Sequence, residues 1–348
     1  MSLVAWCQAA VEAQLPQVCE KGTLRIHALS SCPRPVCSLY PLAHVHPTDA
    51  RADEAVPTWQ EHVIVTAAYR GQDAWRLAYA LELYVYTLPR ERAGLVYVSK
   101  LDSSGYGPPT PSPAVRAHLP PARSLTSTLT AAALHYFLVH DHWTTPIDHI
   151  SLHVLARAQD AYLFPSSHKH PNKRVLSDAA LIRWWQTCLS HVALSVQARA
   201  FYVIPGYSRL DSHAIVPLHH ANDSAVSRAQ WQYGHPYHLA DVPLPLHPCA
   251  WEHRHAATRS EALAARVVPT IIPVFPDDPK GRFVKEQAAT AHEPGASMKP
   301  IPRAASPAHR EAMAERQALE RLSVDGFWER MGFRQECCSG NAVGIFVV

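Results

Sequence analysis

LHVLARAQDAYLFPSSHKHPNKRVLSDAALIRWWQTCL, residues Leu152–Leu189, is the stretch around which the remaining elements have to be arranged. Ile150 to Leu155 is short, apolar and partly β-branched, which suits a buried strand. The turn-rich segment LFPSSHKHPN follows, and then the basic doublet Lys173-Arg174. Ser177 is an N-cap candidate with Asp178 in the first turn, and the spacing predicts a helix over 177–196. Leu181, Trp184, Trp185, Cys188, Leu189 and Val192 recur at helical intervals and form one apolar face. A strand, a basic loop and a helix N-terminus in this order suit a phosphorylated ligand, because unpaired N–H groups and the helix dipole favour an anion. The same order also occurs where no ligand binds, and a Trp pair on an apolar face is more often core than platform.

The chain has 348 residues, enough for a large core, and its 47% hydrophobic content is that of a globular protein. A formal net charge of +3 does not demand nucleic acid as the main partner. The 23 His and 30 Pro are scattered and read as compositional bias. The eight Cys show no pair of CxxC motifs, so a reduced protein is expected. His140/His142, His168/His170 and His253/His255 lack zinc-site partners at the usual spacing, and no metal is expected. Glu12 interrupts the first apolar run, which argues against a signal peptide. No apolar run reaches the roughly 18 residues that a membrane helix needs, so a soluble chain without a membrane partner is expected.

Residues 1–20 read as a helix and Thr23 to Leu29 as a strand. His62 to Ala68, Trp75 to Thr87 and Gly94 to Leu101 read as an antiparallel meander. In the second of these, Leu77, Tyr79, Leu81, Leu83, Val85 and Thr87 alternate onto one face, with an amphipathic helix as the rival. Ser124 to His140 reads as a helix, Ala200 to Ile204 as a strand, and 206–265 as loops with short elements. The apolar segment from Val267 is too rich in Pro for a central strand. Residues 286–307 read as a flexible linker within a single domain over 1–348, Ala308 to Leu322 as a helix, and the C-terminus as a strand. The fold class is α/β (α+β): a mixed sheet with helices around it.

Two further segments carry candidate chemistry. In FPDDPKGRF, Asp277 and Asp278 stand between prolines expected to hold the backbone extended and out of a helix. Adjacent carboxylates raise one another's proton affinity, which tunes a base towards neutrality. A solvated corner is the plainer reading. In VYVSKLDSSGYG, Asp102 ends a strand, where it can reach a cleft or cap its own loop.

Taken together, ARAQDAYLFPSS, NKRVLSDAALIRWW, SK-x-D-x-x-GY and FPDDPK-x-RF resemble the fungal histone H3 lysine acetyltransferases. These are the fungal-specific regulator-of-Ty1-transposition type, structurally similar to the CREB-binding-protein acetyltransferases. The resemblance implies a CREB-binding-protein-like acetyltransferase fold with a largely antiparallel central sheet. It implies acetyl-CoA as cosubstrate and histone H3, as H3–H4, as the acceptor, chiefly at lysine fifty-six and also at tail lysines. Histone chaperones of the nucleosome-assembly and anti-silencing types are the implied partners, and the nucleus the implied location.

Residue by residue, the resemblance makes Asp278, Asp102, Asp277 and Trp185 catalytic candidates. Lys280 becomes the autoacetylated lysine, and Arg282 a partner for either aspartate. Leu101, Ser103, Leu155, Arg157, Gln159, Tyr162 and Trp184 would meet acetyl-CoA. Lys173, Arg174, Val175 and Leu176 would surround its phosphates, with Arg123 and Ser124 at the pyrophosphate. Arg174 stands where the family often has His, and Gln159 replaces a small residue. The chemistry demands deprotonation of the acceptor. A free lysine with pKa near 10.4 is neutral about once in a thousand molecules at neutral pH, a deficit of roughly 4 kcal/mol. A carboxylate base, a desolvated channel, or both could offset it. The rival readings are an acyltransferase of another superfamily or with a non-histone substrate, and a scaffold that binds histone and chaperone without turnover.

Overall fold

The computed structural model describes residues 1–19, 24–37, 39, 40, 42, 58–70, 74–108, 124–139, 142, 143, 145–217, 228–239, 241, 242, 266–290, 306–334 and 341–348. Helix α1 (Leu3–Gln14) starts where the Ser2 hydroxyl accepts from the Ala5 N–H, and a single turn, Pro16–Cys19, extends it. Strands β1 (Leu24–Ser30), β2 (Arg34–Val36), β3 (Thr58–Arg70), β4 (Trp75–Leu88) and β5 (Ala93–Ser103) follow. Then come α2 (Leu125–Val139), β6 (His149–Ala156), α3 (Asp178–Ser195), β7 (Phe201–Val203) and β8 (Gln232–Tyr233). Helices α4 (Pro279–Thr290), α5 (Pro307–Glu320) and α6 (Val324–Gly332) precede the last strand, β9 (Gly344–Val347).

The strands form one sheet in the order β1-β3-β4-β5-β6-β9-β7-β8, with β2 on β3. Pairing is antiparallel except for β5 with β6 and β7 with β8. The expected mixed, largely antiparallel sheet among helices is what the chain builds. Side-chain alternation explains why both faces are covered. Val63, Leu81, Leu83, Val96, Val98 and Val154 point to a core shared with α1, α2 and α3. Tyr86, Leu95, Tyr97 and Ile345 point the other way, to Phe283 of α4, Leu319 of α5 and Phe327 of α6.

The long strand is β4, not an amphipathic helix, yet one predicted inward residue fails. The β3–β4 register slips between Ala67 and Ala68, passing over Ala78. A single extra residue inverts the alternation beyond it, so Leu77 is 49% exposed while Tyr79 is fully buried.

The Pro-rich segment from Val267 forms no central strand, as expected, and makes a helical turn, Val268–Ile271, with Pro269 in the first turn, where its missing N–H costs no helix bond. Two other expectations change. Asp277 is not extended: it has φ +56°, and α4 starts at Pro279, directly after Asp278. Residues 286–290 of the expected linker belong to α4, and 291–305 lie outside the described residues. Within 206–265 the described residues form short elements such as Arg209–Ser212 and Pro236–His238. Among the described residues no helix is long and apolar enough to cross a membrane.

Candidate active site

The ladder between the parallel neighbours β5 and β6 ends at Val98 and Val154. Beyond it β5 runs on along β4 to Ser103, whereas β6 stays with β9 through Ala156. The two strands part at their carboxyl ends, the place where open sheets with parallel strands leave a ligand crevice. A cleft of about 1000 Å³ opens there. Ser99–Ser103 form one wall, and Leu155, Arg157, Gln159 and Tyr162 another. The start of α2, Ser124–Ser127, and the loop Asn172–Leu176 close its ends, and Leu181, Trp184 and Trp185 of α3 form its apolar side. The expected cosubstrate residues Leu101, Ser103, Ser124, Leu155, Arg157, Gln159, Tyr162, Lys173, Arg174, Val175, Leu176 and Trp184 are thus brought together from five segments. Arg123 lies outside the described residues.

Asp102 lines the cleft, but its carboxylate is saturated. Oδ1 accepts from the Ser103 N–H at 2.8 Å and the Lys173 ammonium at 2.7 Å. Oδ2 accepts from the N–H groups of Tyr162, Leu163 and Phe164 at 2.8, 2.9 and 3.1 Å. Burial alone would raise this carboxyl, but the Lys173 ammonium and the backbone donors bring it below its ordinary value. A carboxylate held ionised by five donors has no lone pair placed for a substrate proton, so its geometry is that of an anchor for the loop after β6.

Lys173, expected near the cosubstrate phosphates, is paired within the protein. Its ammonium also donates to Ser167 Oγ at 2.6 Å, and its side chain is 5% exposed. Arg174 is exposed on the cleft and is the cation of the doublet that remains available. Of the two helix starts that the sequence offered, the one after the basic doublet is already occupied. The Ser177 hydroxyl and the Asp178 carboxylate occupy the start of α3, where Asp178 accepts from Ala179 N–H at 2.7 Å and Ala342 N–H at 2.8 Å. The start of α2 lines the cleft instead, with Ser124 Oγ accepting from the Ser127 N–H at 3.1 Å. Its remaining first-turn N–H groups suit an anion.

The two tryptophans, expected together on one apolar face, differ in burial. Trp185 is 4% exposed in the core, Trp184 is half-buried, and the rings meet edge-on with centroids 5.0 Å apart. Thr187, Cys188 and His191 also line the cleft. Their i+3, i+4 and i+7 spacing from Trp184 was the available signal for a second use of this face.

The FPDD segment sits beside the cleft, not in its lining. Asp278 caps α4: Oδ1 accepts from the Lys280 N–H at 2.9 Å, and Oδ2 pairs with the Lys280 ammonium. Both side chains are buried, and the ammonium lies 5.2 Å above the Phe275 ring. Asp277 is 70% exposed with an oxygen 3.6 Å from the Lys100 ammonium, and Lys100 does line the cleft. Arg282 is exposed, and the two aspartates are paired with lysines in its place. Among the described residues no group of three or more His, Cys, Asp or Glu could hold a metal ion.

The family described as "Histone acetyltransferase KAT11-type domain" matches residues 123–348. A curated "Histone acetyltransferase rtt109" of Aspergillus flavus is 26% identical over 348 residues, 92% of this chain and 52% of that protein. Its Schizosaccharomyces pombe (strain 972 / ATCC 24843) namesake is 26% identical over 274 residues, 78% of this chain and 56% of that protein. The crystal structure of Rtt109 from Aspergillus fumigatus superposes with a TM-score of 0.61 at 21% identity, covering 100% of this chain and 78% of that chain. The chain spans about half the length of the curated relatives it matches.

Proposed function

Because the chain belongs to the histone acetyltransferase KAT11-type domain family, we propose that it transfers the acetyl group of acetyl-CoA to lysines of histone H3. The observation that carries this reading is the parting of β5 and β6, which yields a cleft with an apolar aromatic wall, the exposed Arg174 guanidinium and a helix start. A volume of about 1000 Å³ suits a ligand of coenzyme A size. In this reading Arg174 and the start of α2 take the phosphates. The edge of β5 beyond Val98 takes the pantetheine arm by ladder-like hydrogen bonds, and Trp184 lies against it.

The acceptor lysine enters beside Trp185, where desolvation lowers the cost of its neutral form. Its nitrogen lone pair bonds to the thioester carbon, and the carbon–sulfur bond breaks to release coenzyme A as thiolate. The lysine proton passes to solvent or to a carboxylate at the cleft mouth. Asp277 is the exposed carboxylate of the FPDD pair, while Asp278 and Asp102 hold the elements around it. Histone H3 within H3–H4, at lysine fifty-six and at tail lysines, is the substrate of this proposal. Chaperones of the nucleosome-assembly and anti-silencing types are its partners, and the nucleus its location. Lys280, buried on Asp278, is its autoacetylation site.

A second reading, a histone-binding scaffold without turnover, draws support from the saturated Asp102 and the buried Asp278. Release of coenzyme A from acetyl-CoA in the presence of H3–H4 separates the two. The enzyme releases thiol in step with acetyl-lysine; a scaffold binds histone and releases none.

A further inference from the structure

Glu82 is a buried carboxylate in the middle of the apolar strand AYALELYVY. Burying such a group costs several kcal/mol unless it is paired, roughly as for other desolvated ions. Here Oε1 lies 2.9 Å from His62 Nε2, and Oε2 accepts from Ser99 Oγ at 3.0 Å and from the Lys100 ammonium at 3.1 Å. The β4–β5 register slips between Glu82 and Leu83, passing over Ser99, so that Lys100 stands directly opposite Glu82. Three neighbouring strands thus join in one polar cluster on a wall of the cleft, since Ser99 and Lys100 both line it.

The cluster reaches one step further, because Lys100 is also the group 3.6 Å from Asp277. Asp277 has φ +56°, in the left-handed region that Asp tolerates better than most non-glycine residues and that turns the chain sharply into α4. Across that ion pair the FPDD turn, which belongs to a separate element at the start of α4, is fastened to the end of β5.

We propose that Lys100 is a positioning residue for the acyl transfer: Glu82 fixes its ammonium, and the ammonium holds Asp277 and its turn against the mouth of the cleft. The ammonium is not itself a nucleophile. Burial alone would lower its pKa, but Glu82 and Asp277 together raise it above the ordinary lysine value. The proposal rests on the acetyltransferase reading of the same cleft.

The test uses the full chain, acetyl-CoA and H3–H4, with kcat, coenzyme A affinity and melting temperature measured for each variant. Lys100→Met should cut kcat by about tenfold to a hundredfold, the scale of a small misplacement, and lower the melting temperature because Glu82 loses its cation, with coenzyme A affinity close to wild type. Lys100→Met with Glu82→Gln should regain the melting temperature but not the rate. Lys100→Arg, which can still bridge two carboxylates, should recover most of the rate, and Glu82→Gln should fall with Lys100→Met. Lys100→Met combined with Asp277→Asn should be no slower than the worse single variant, since both remove one link. Wild-type kcat in Lys100→Met, multiplied losses in the Lys100→Met/Asp277→Asn double variant, a rate loss matched by lost coenzyme A affinity, or a rate that returns together with the melting temperature in Lys100→Met with Glu82→Gln would each overturn the proposal. If the wild-type chain transfers no acetyl group at all, the enzyme reading itself fails and this proposal falls with it.

Discussion

The Lys173 ammonium meets Asp102 Oδ1 at 2.7 Å, joining the end of β5 to the loop that leads into α3. The other oxygen of the same carboxylate gathers three consecutive N–H groups from residues 162–164. The cleft is therefore closed on one side by a buried ion pair between segments about seventy residues apart.

Removing either partner leaves a buried charge unmatched. Asp102→Ala and Lys173→Met should each cost about 3 kcal/mol, and the double variant less than their sum by more than about 1 kcal/mol. Urea unfolding measures both. The depressed Asp102 pKa sets the sign with pH. Its stabilisation is complete above the unfolded-state pKa of about 3.9 and is lost as pH falls through the lower folded-state value. Asp102→Ala should flatten the acid limb of stability against pH; an unchanged limb would remove Asp102 as its source.

Arg174 and Lys173 should separate by readout although they adjoin in sequence. Arg174→Ala should weaken coenzyme A binding about tenfold at low salt, and less at high salt, without lowering the melting temperature. Lys173→Ala should lower both. Calorimetry at two salt concentrations with a melting curve decides it, and equal stability losses would mean that the doublet acts as one unit.

This division was hidden in the sequence for a physical reason. Local patterns revealed the meander, the Ser177 cap and the apolar face of α3, because alternation and capping act within a few residues. They placed the cosubstrate candidates on one cleft only through resemblance, since the parting of β5 and β6 is a long-range event. Which cation of a basic doublet turns inward depends on a carboxylate far along the chain, here Asp102. The single-residue slips at Ala78 and Ser99 depend likewise on the partner strand. Pro279 misled in the opposite direction: a proline that forbids a helix interior opens α4 when it stands at its first position.

Asp278→Asn tests how far the buried FPDD aspartate is structural. The amide can still accept from the Lys280 N–H but no longer neutralises the ammonium beside it. Stability should fall by about 3 kcal/mol, and Asp278→Asn with Lys280→Met should regain part of it. A variant that kept wild-type stability and lost only turnover would instead return Asp278 to the reacting groups.

His153 and His235 give the last expectation, on the sheet face opposite the cleft. Their rings are 6.5 Å apart, and His235 stacks on Trp328 with centroids 5.9 Å apart. Burial, aided by the Lys280 charge, lowers both pKa values, that of His235 to about 3, and its Nδ1 has no hydrogen-bond partner among the described residues. The folded chain therefore excludes protons that the unfolded chain accepts below about pH 6.5, so stability falls as pH drops from there. Each such histidine contributes a slope of about 1.4 kcal/mol per pH unit until its folded-state pKa is reached. His235→Asn removes one titration without a large change in volume. Between pH 6 and about pH 4 its unfolding free energy should decline less steeply than wild type by about one such slope. Parallel curves for the two proteins would mean that His235 is not held neutral in the folded core.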